Sequence, residues 1–145
     1  VDRQWMRLMR VNVEAASNLS IALLGHLIAV DRSGSIVNIA DIAADRPWTR
    51  HQAYAASKAA LVCLTKAHAR LMAPRVRVNA VSPGIVLWDE NDDDQRRRQR
   101  AIDRIPLGRE GAPEDVAETV RFLMTSASYM TGQVIRVDGG RSLAW

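Results

Sequence analysis

Apolar residues recur at helical spacing from about residue 3 to 29, through Trp5, Leu8, Met9, Val13, Ala16, Leu19, Leu23, Leu24, Leu27 and Ile28, which predicts one long helix with a wide apolar face. "DRSG" then makes a turn, and the β-branched run "SIVNIA" at 35–40 reads as a strand. The segment 54–72, "YAASKAALVCLTKAHARLM", is rich in strong helix formers and stops before Pro74. "RVRVNAV" at 75–81 predicts a second strand that ends at "SPG". A helix begins near Pro113 with acids in its first turn, and "QVIRVDGG" at 133–140 closes the pattern with a third strand and a glycine turn. In 89–104 acids precede bases, the order that suits a solvated helix and its dipole.

Alternating helices and strands of this kind imply an α/β fold with parallel strands joined by right-handed helical crossovers, here over 35–40, 76–81 and 133–138. Parallel strands are normally covered on both faces, and three of them make a narrow sheet with an apolar edge left open. The pattern reads as half of a larger architecture.

Composition narrows the function classes. The chain has 145 residues, 48% of them apolar and 25% charged, with a formal net charge of +4. Its basic residues are scattered rather than gathered into an aromatic-laced stripe, so nucleic acid is not indicated, while a phosphate-bearing cofactor suits the charge equally well. The single Cys63 forms no internal disulfide, and no Cys/His set has metal-ligand spacing. Cys63 is expected to be a small buried apolar residue, and His26, His51 and His68 are expected to be exposed or hydrogen-bonded. The longest apolar run, 21–30, is too short to span a bilayer, and charge interrupts the first ten residues, unlike a secretory signal. A cytoplasmic location without membrane contact is the expectation.

The chemistry gathers around the second helix. Tyr54 and Lys58 stand four residues apart on one face, so the ammonium is expected to favour the phenolate and bring the tyrosine towards general acid duty. A solvated pair with no such role is the plainer alternative. Asp41 lies at the carboxyl end of a strand, where open α/β sheets bind ligands, and "SPG" ends the next strand, where backbone could approach a flat ring. Asp41 either faces a substrate or caps its loop. Trp48 and Trp88 either line the site of a flat substrate or pack.

Five segments in this order, "VNVEA" (11–15), "GSIVNIAD" (34–41), "YAASKAAL" (54–61), "RVRVNAVSPG" (75–84) and "YMTGQVIRVDGG" (129–140), resemble the short-chain dehydrogenases/reductases. The resemblance implies the carboxyl-terminal part of a Rossmann-type doubly wound parallel sheet. It also implies NADPH as cofactor, with NADH left open. Tyr54 would be the proton donor, Lys58 would hold the nicotinamide ribose, and Asn12 would support a water relay. Pro83 and Gly84 would lie against the nicotinamide, and Ile85 would meet the cofactor through backbone alone, where relatives often have a hydroxyl that binds its phosphate.

Where most members of the family carry a serine thirteen residues before the tyrosine, this chain has Asp41. With "GGRSL" and the acids after "PGIVLW", that resembles the pteridine and dihydromonapterin reductases and implies a pterin substrate. A generic carbonyl or 3-oxoacyl reductase is the alternative, and a non-catalytic association module is a third reading. No G-x-x-x-G-x-G phosphate loop occurs in the sequence, so residues 1–145 are expected to be a partial reductase domain without the cofactor-binding first half, inactive alone. The resemblance also implies a homodimer or homotetramer through helices 3–29 and 54–72.

Overall fold

The computed structural model describes residues 3–29, 33–87 and 94–143. The first helical stretch runs as α1 (Arg3–Met9), a π-helical turn (Arg10–Glu14), α2 (Ala15–Ala22) and α3 (Leu24–Ala29). The expected helix is therefore present but not uniform. It widens at Arg10–Glu14 and tightens at Leu23, whose backbone N–H reaches both Ile21 and Leu19 carbonyls.

Strand β1 (Gly34–Ile39), helix α4 (Gln52–Met72) and strand β2 (Val76–Pro83) follow, then α5 (Gln95–Ile102), α6 (Pro113–Thr125) and β3 (Val134–Val137). Both strand pairs are parallel, in the order β1-β2-β3, with Gly34 opposite Val76 and Ala80 opposite Val134. The strands lie within two or three residues of the expected bounds, and the pairing is the one anticipated.

Helices cover both faces of the sheet. On one, Ala69 and Met72 of α4 pack on Val76 and Val78, with Leu24, Leu27 and Ile36 alongside. On the other, Leu123 and Ala127 of the α6 region pack on Val81 with Val37, Ile135 and Val137. Strand β2 is the centre, and Val78, Ala80 and Val81 are completely buried. Asn79, also on β2, is satisfied by the Gln133 amide and the Met130 carbonyl.

Arg77 is nearly buried and its guanidinium donates to the Leu123 and Ala127 carbonyls at 2.8 and 2.9 Å, supplying a cation at the carboxyl end of α6. The amino end of that helix is held by Asp115, which accepts the Ala112 amide at 2.8 Å. Helix α5 begins as its charge order suggested, since Asp94 accepts from the Arg97 amide at 3.0 Å.

Two sequence expectations fail on α4. Its buried stripe is Ala55, Leu61, Thr65, Ala69 and Met72, and Cys63, two positions from Leu61, therefore faces away and is exposed. His68 falls on the buried side, its Nδ1 has no hydrogen-bond partner, and burial pushes its pKa down. Among the described residues no helix is long and apolar enough to cross a membrane, and no cluster of His, Cys, Asp or Glu could hold a metal.

Candidate active site

At the carboxyl end of β1 the chain leaves the sheet through Ala40 and enters a short 3-10 turn, Ile42–Ala44, for which Asp41 is the N-cap. Asp41 Oδ1 accepts the Ala43 amide at 2.7 Å. The other oxygen, Oδ2, accepts the Tyr54 hydroxyl at 2.8 Å. Asp41 thus caps its loop with one oxygen and pairs with Tyr54 through the other.

Tyr54 lies in the first turn of α4, where buried Ala55 and Ser57 anchor the helix against the protein. Ser57 Oγ donates to the Tyr54 carbonyl at 2.7 Å and accepts from Asn12 Nδ2 at 2.9 Å. The π-helical turn that holds Asn12 is thereby pinned to the tyrosine's turn. Ser57 was missed in the sequence reading, although "YAASK" places it one residue before the lysine.

Lys58 points its ammonium at the Ile39 carbonyl, 2.8 Å away, and passes 5.7 Å from the centroid of the Tyr54 ring. The charge lies beside the ring and not against the phenolic oxygen. The expectation that lysine would lower the tyrosine's pKa is reversed here. Burial first, then the hydrogen bond that the phenol donates to Asp41 and the negative charge of that carboxylate, push the Tyr54 phenol well above its ordinary range. Burial pushes the Lys58 ammonium down, against the upward pull of Asp41.

Two crevices flank this trio. A crevice of about 760 Å³ is lined by Asp41, Trp48, Gly84, Ile85, Arg104 and Arg141, among others. A narrower one of about 390 Å³ follows the outer edge of β1 and is lined by Asn12, Ser35, Asn38 and Lys58. The residues selected from sequence thus divide into Asp41, Trp48, Gly84 and Ile85 in the first and Asn12 and Lys58 in the second, while Tyr54 lines neither and is hydrogen-bonded to Asp41. Pro83 ends β2 opposite Val137 and does not line the larger crevice. Trp88 lies outside the described residues.

Trp48 is half exposed and meets the His51 ring edge-on at 6.2 Å, leaving a ring face for the crevice. Gly84 is close-packed for a different reason than the flat-ring contact expected of it. A Cβ there would lie 2.8 Å from the Asp138 Cα, so the neighbouring strand already fills the space. The Ile85 carbonyl accepts the Gly111 amide at 2.9 Å, which fixes the turn after β2.

A family model described as Enoyl-(Acyl carrier protein) reductase matches residues 1–142. The chain belongs to the short-chain dehydrogenase/reductase family. It is 38% identical over 142 residues to the 3-oxoacyl-[acyl-carrier-protein] reductase FabG of Thermotoga maritima, covering 96% of this chain and 57% of that protein. It is equally 38% identical, over 138 residues, to the dihydromonapterin reductase of Klebsiella pneumoniae, covering 94% and 57%. The crystal structure of FolM alternative dihydrofolate reductase 1 from Brucella canis, complexed with NADP, superposes with a TM-score of 0.87 at 32% identity over 100% of this chain and 57% of that one. The chain spans a little over half the length of the relatives it matches.

Proposed function

We propose that these residues form the catalytic and substrate-binding portion of a cytoplasmic, NADPH-dependent reductase that converts a dihydropterin to a tetrahydropterin. The observation that carries this reading is the 2.8 Å hydrogen bond from Tyr54 to Asp41, a carboxylate that lines a crevice together with Trp48. A carboxylate can accept from the ring N–H and amino groups of a pterin, and an indole face suits its flat ring.

The donors at the carboxyl end of β1 fit the nicotinamide–ribose end of the cofactor. The Lys58 ammonium and the Tyr54 hydroxyl would hold it, and when bound it supplies the hydride. Tyr54 gives the proton to the nitrogen of the C=N bond being reduced. A phenolate left beside the Asp41 carboxylate would put two anions in contact, so proton loss from Tyr54 is coupled to a proton reaching the pair from the solvent side of the crevice. Asn12 and Ser57 hold the helix turn that aims the phenol. Residues 1–145 form a partial domain, with activity assigned to the complete protein and association into a dimer or tetramer through helices 3–29 and 54–72. Exposed Leu19 and Leu71 on those helices support that assembly.

A carbonyl or 3-oxoacyl reductase is the second reading, favoured by the equal similarity to FabG. Kinetics of Asp41→Ser in the complete protein with NADPH decide between them. Under the pterin reading, dihydropterin reduction falls much further than reduction of an activated ketone, by roughly 1–3 kcal/mol of lost pairing or more. Equal losses on the two substrates would establish the carbonyl reductase instead.

A further inference from the structure

The crevice beside Asp41 is lined by charges of both signs. With the acidic Asp41 its lining includes Arg46, Arg104 and Arg141, brought together from the loop after β1, the segment after α5 and the turn after β3. Arg141 is half-buried, and among the described residues its guanidinium has neither a hydrogen bond nor an ion pair. Its backbone is fixed, with its amide on the Asp138 carbonyl at 2.9 Å and the next amide, Ser142, on the Asp138 carboxylate at 2.8 Å.

Burial comes first in pushing the Arg141 pKa down, and the positive charges of Arg104 and Arg46 add to it. A half-buried guanidinium on a fixed backbone, as at Arg141, costs stability unless an anion answers it. Arginine forks are shaped to bind carboxylate or phosphate in pairs of hydrogen bonds, and gain most where water is partly excluded.

The geometry points to an anion-recognition subsite, built on Arg141 with Arg104 and Arg46, that selects substrates carrying a carboxylate or phosphate group distal to the reducible bond. It rests on the substrate occupying the same crevice as in the function proposed above. Arg141 would contact the anion directly, and Arg104 would strengthen the field and steer approach.

Binding measurements on the complete protein test this with matched probes. Pterin is compared with pterin-6-carboxylate by fluorescence titration. Benzaldehyde is compared with 4-carboxybenzaldehyde and 4-formylphenyl phosphate by saturation-transfer NMR. The expected result is a preference of about fivefold or more for the anionic partner of a pair, shrinking as salt rises and collapsing in Arg141→Gln. Arg104→Gln, at an exposed position, reduces the preference in part and keeps the test open if Arg141→Gln fails to fold. The two anionic aldehydes show whether carboxylate or phosphate is favoured.

The subsite is overturned if anionic and neutral partners bind alike, if the preference survives Arg141→Gln, or if no probe binds. It is also overturned if the substitution weakens NADPH and leaves the substrate preference intact, since the arginines would then serve the cofactor. If neither pterin binds while the anionic aldehydes outbind benzaldehyde, the pterin assignment falls and the anion subsite stands.

Discussion

Asp41 and Tyr54 are joined by one hydrogen bond of 2.8 Å, and the carboxylate that accepts it is held in place by the Ala43 amide on its other oxygen. The phenol therefore faces an oriented negative charge. Its proton is bound more tightly than in water, and the group that would deliver it to a substrate is also the group that the protein makes reluctant to ionise.

This has a spectroscopic consequence. Residues 1–145 hold two tyrosines, Tyr54 and Tyr129, so within a chain of these residues Tyr129→Phe leaves a single tyrosinate band, that of Tyr54. In that background the Tyr54 midpoint should lie well above the free phenol, near ~10. Adding Asp41→Ser removes the hydrogen bond and the charge and should move the midpoint down, although burial keeps it raised. Because the folded pKa exceeds the unfolded one, the contribution of Tyr54 to stability is complete below about pH 10 and is lost as pH rises through the folded value. A midpoint unmoved by the aspartate substitution would contradict the pairing.

Turnover should respond to the proton donor before anything else in the site. In the complete protein Tyr54→Phe keeps the ring and its packing but removes the acid, and kcat should fall by roughly a hundredfold or more with cofactor affinity retained. Single-turnover kinetics with NADPH check this. Lys58→Ala should weaken both cofactor affinity and turnover, because one ammonium serves both.

Gly84 gives a prediction about packing. With Asp138 Cα only 2.8 Å from where a Cβ would stand, Gly84→Ala must separate the ends of β2 and β3. The expected loss is roughly 1–3 kcal/mol of unfolding free energy, read from denaturant titration. No loss would mean that the strand end shifts freely.

Arg77 provides a matching test on the opposite side of the sheet from the helix α4. Arg77→Met keeps the apolar stem and removes the donors that cover the Leu123 and Ala127 carbonyls. A destabilisation of roughly 2–4 kcal/mol is expected, with early exchange of amides at the carboxyl end of α6 seen by hydrogen exchange.

Much of this was legible in the chain because its main elements obey local rules. Period-two and period-3.6 patterns located β1, β2, α4 and α6, and the strand-end rule located Asp41. What was not legible depends on direction in space. The Lys58 side chain could have met the phenolic oxygen or the Ile39 carbonyl at the same spacing, and only the fold selects the second. Cys63 differs from buried Leu61 and Thr65 by helical phase while His68 shares it, which an Ala-rich stretch without a sharp apolar stripe does not reveal. Arg46, Arg104 and Arg141 come from three separate segments, so no local motif could have linked them.

The π-helical turn at Arg10–Glu14 gives the first helix one residue more than its α-helical rise requires. That extra residue is absorbed within the turn, because π winding advances each residue by less than an α-helix does and so leaves the stretches on either side in phase. Deleting one residue there would restore regular winding and keep Trp5 and Met6 on the side they already present, but it would remove the widened turn from which the Asn12 amide reaches Ser57. The number of residues between Met9 and Ala15 is thus as much a determinant of the site as their identity, and a length change that looks harmless on a solvent-facing helix would be felt at the turn that carries Tyr54.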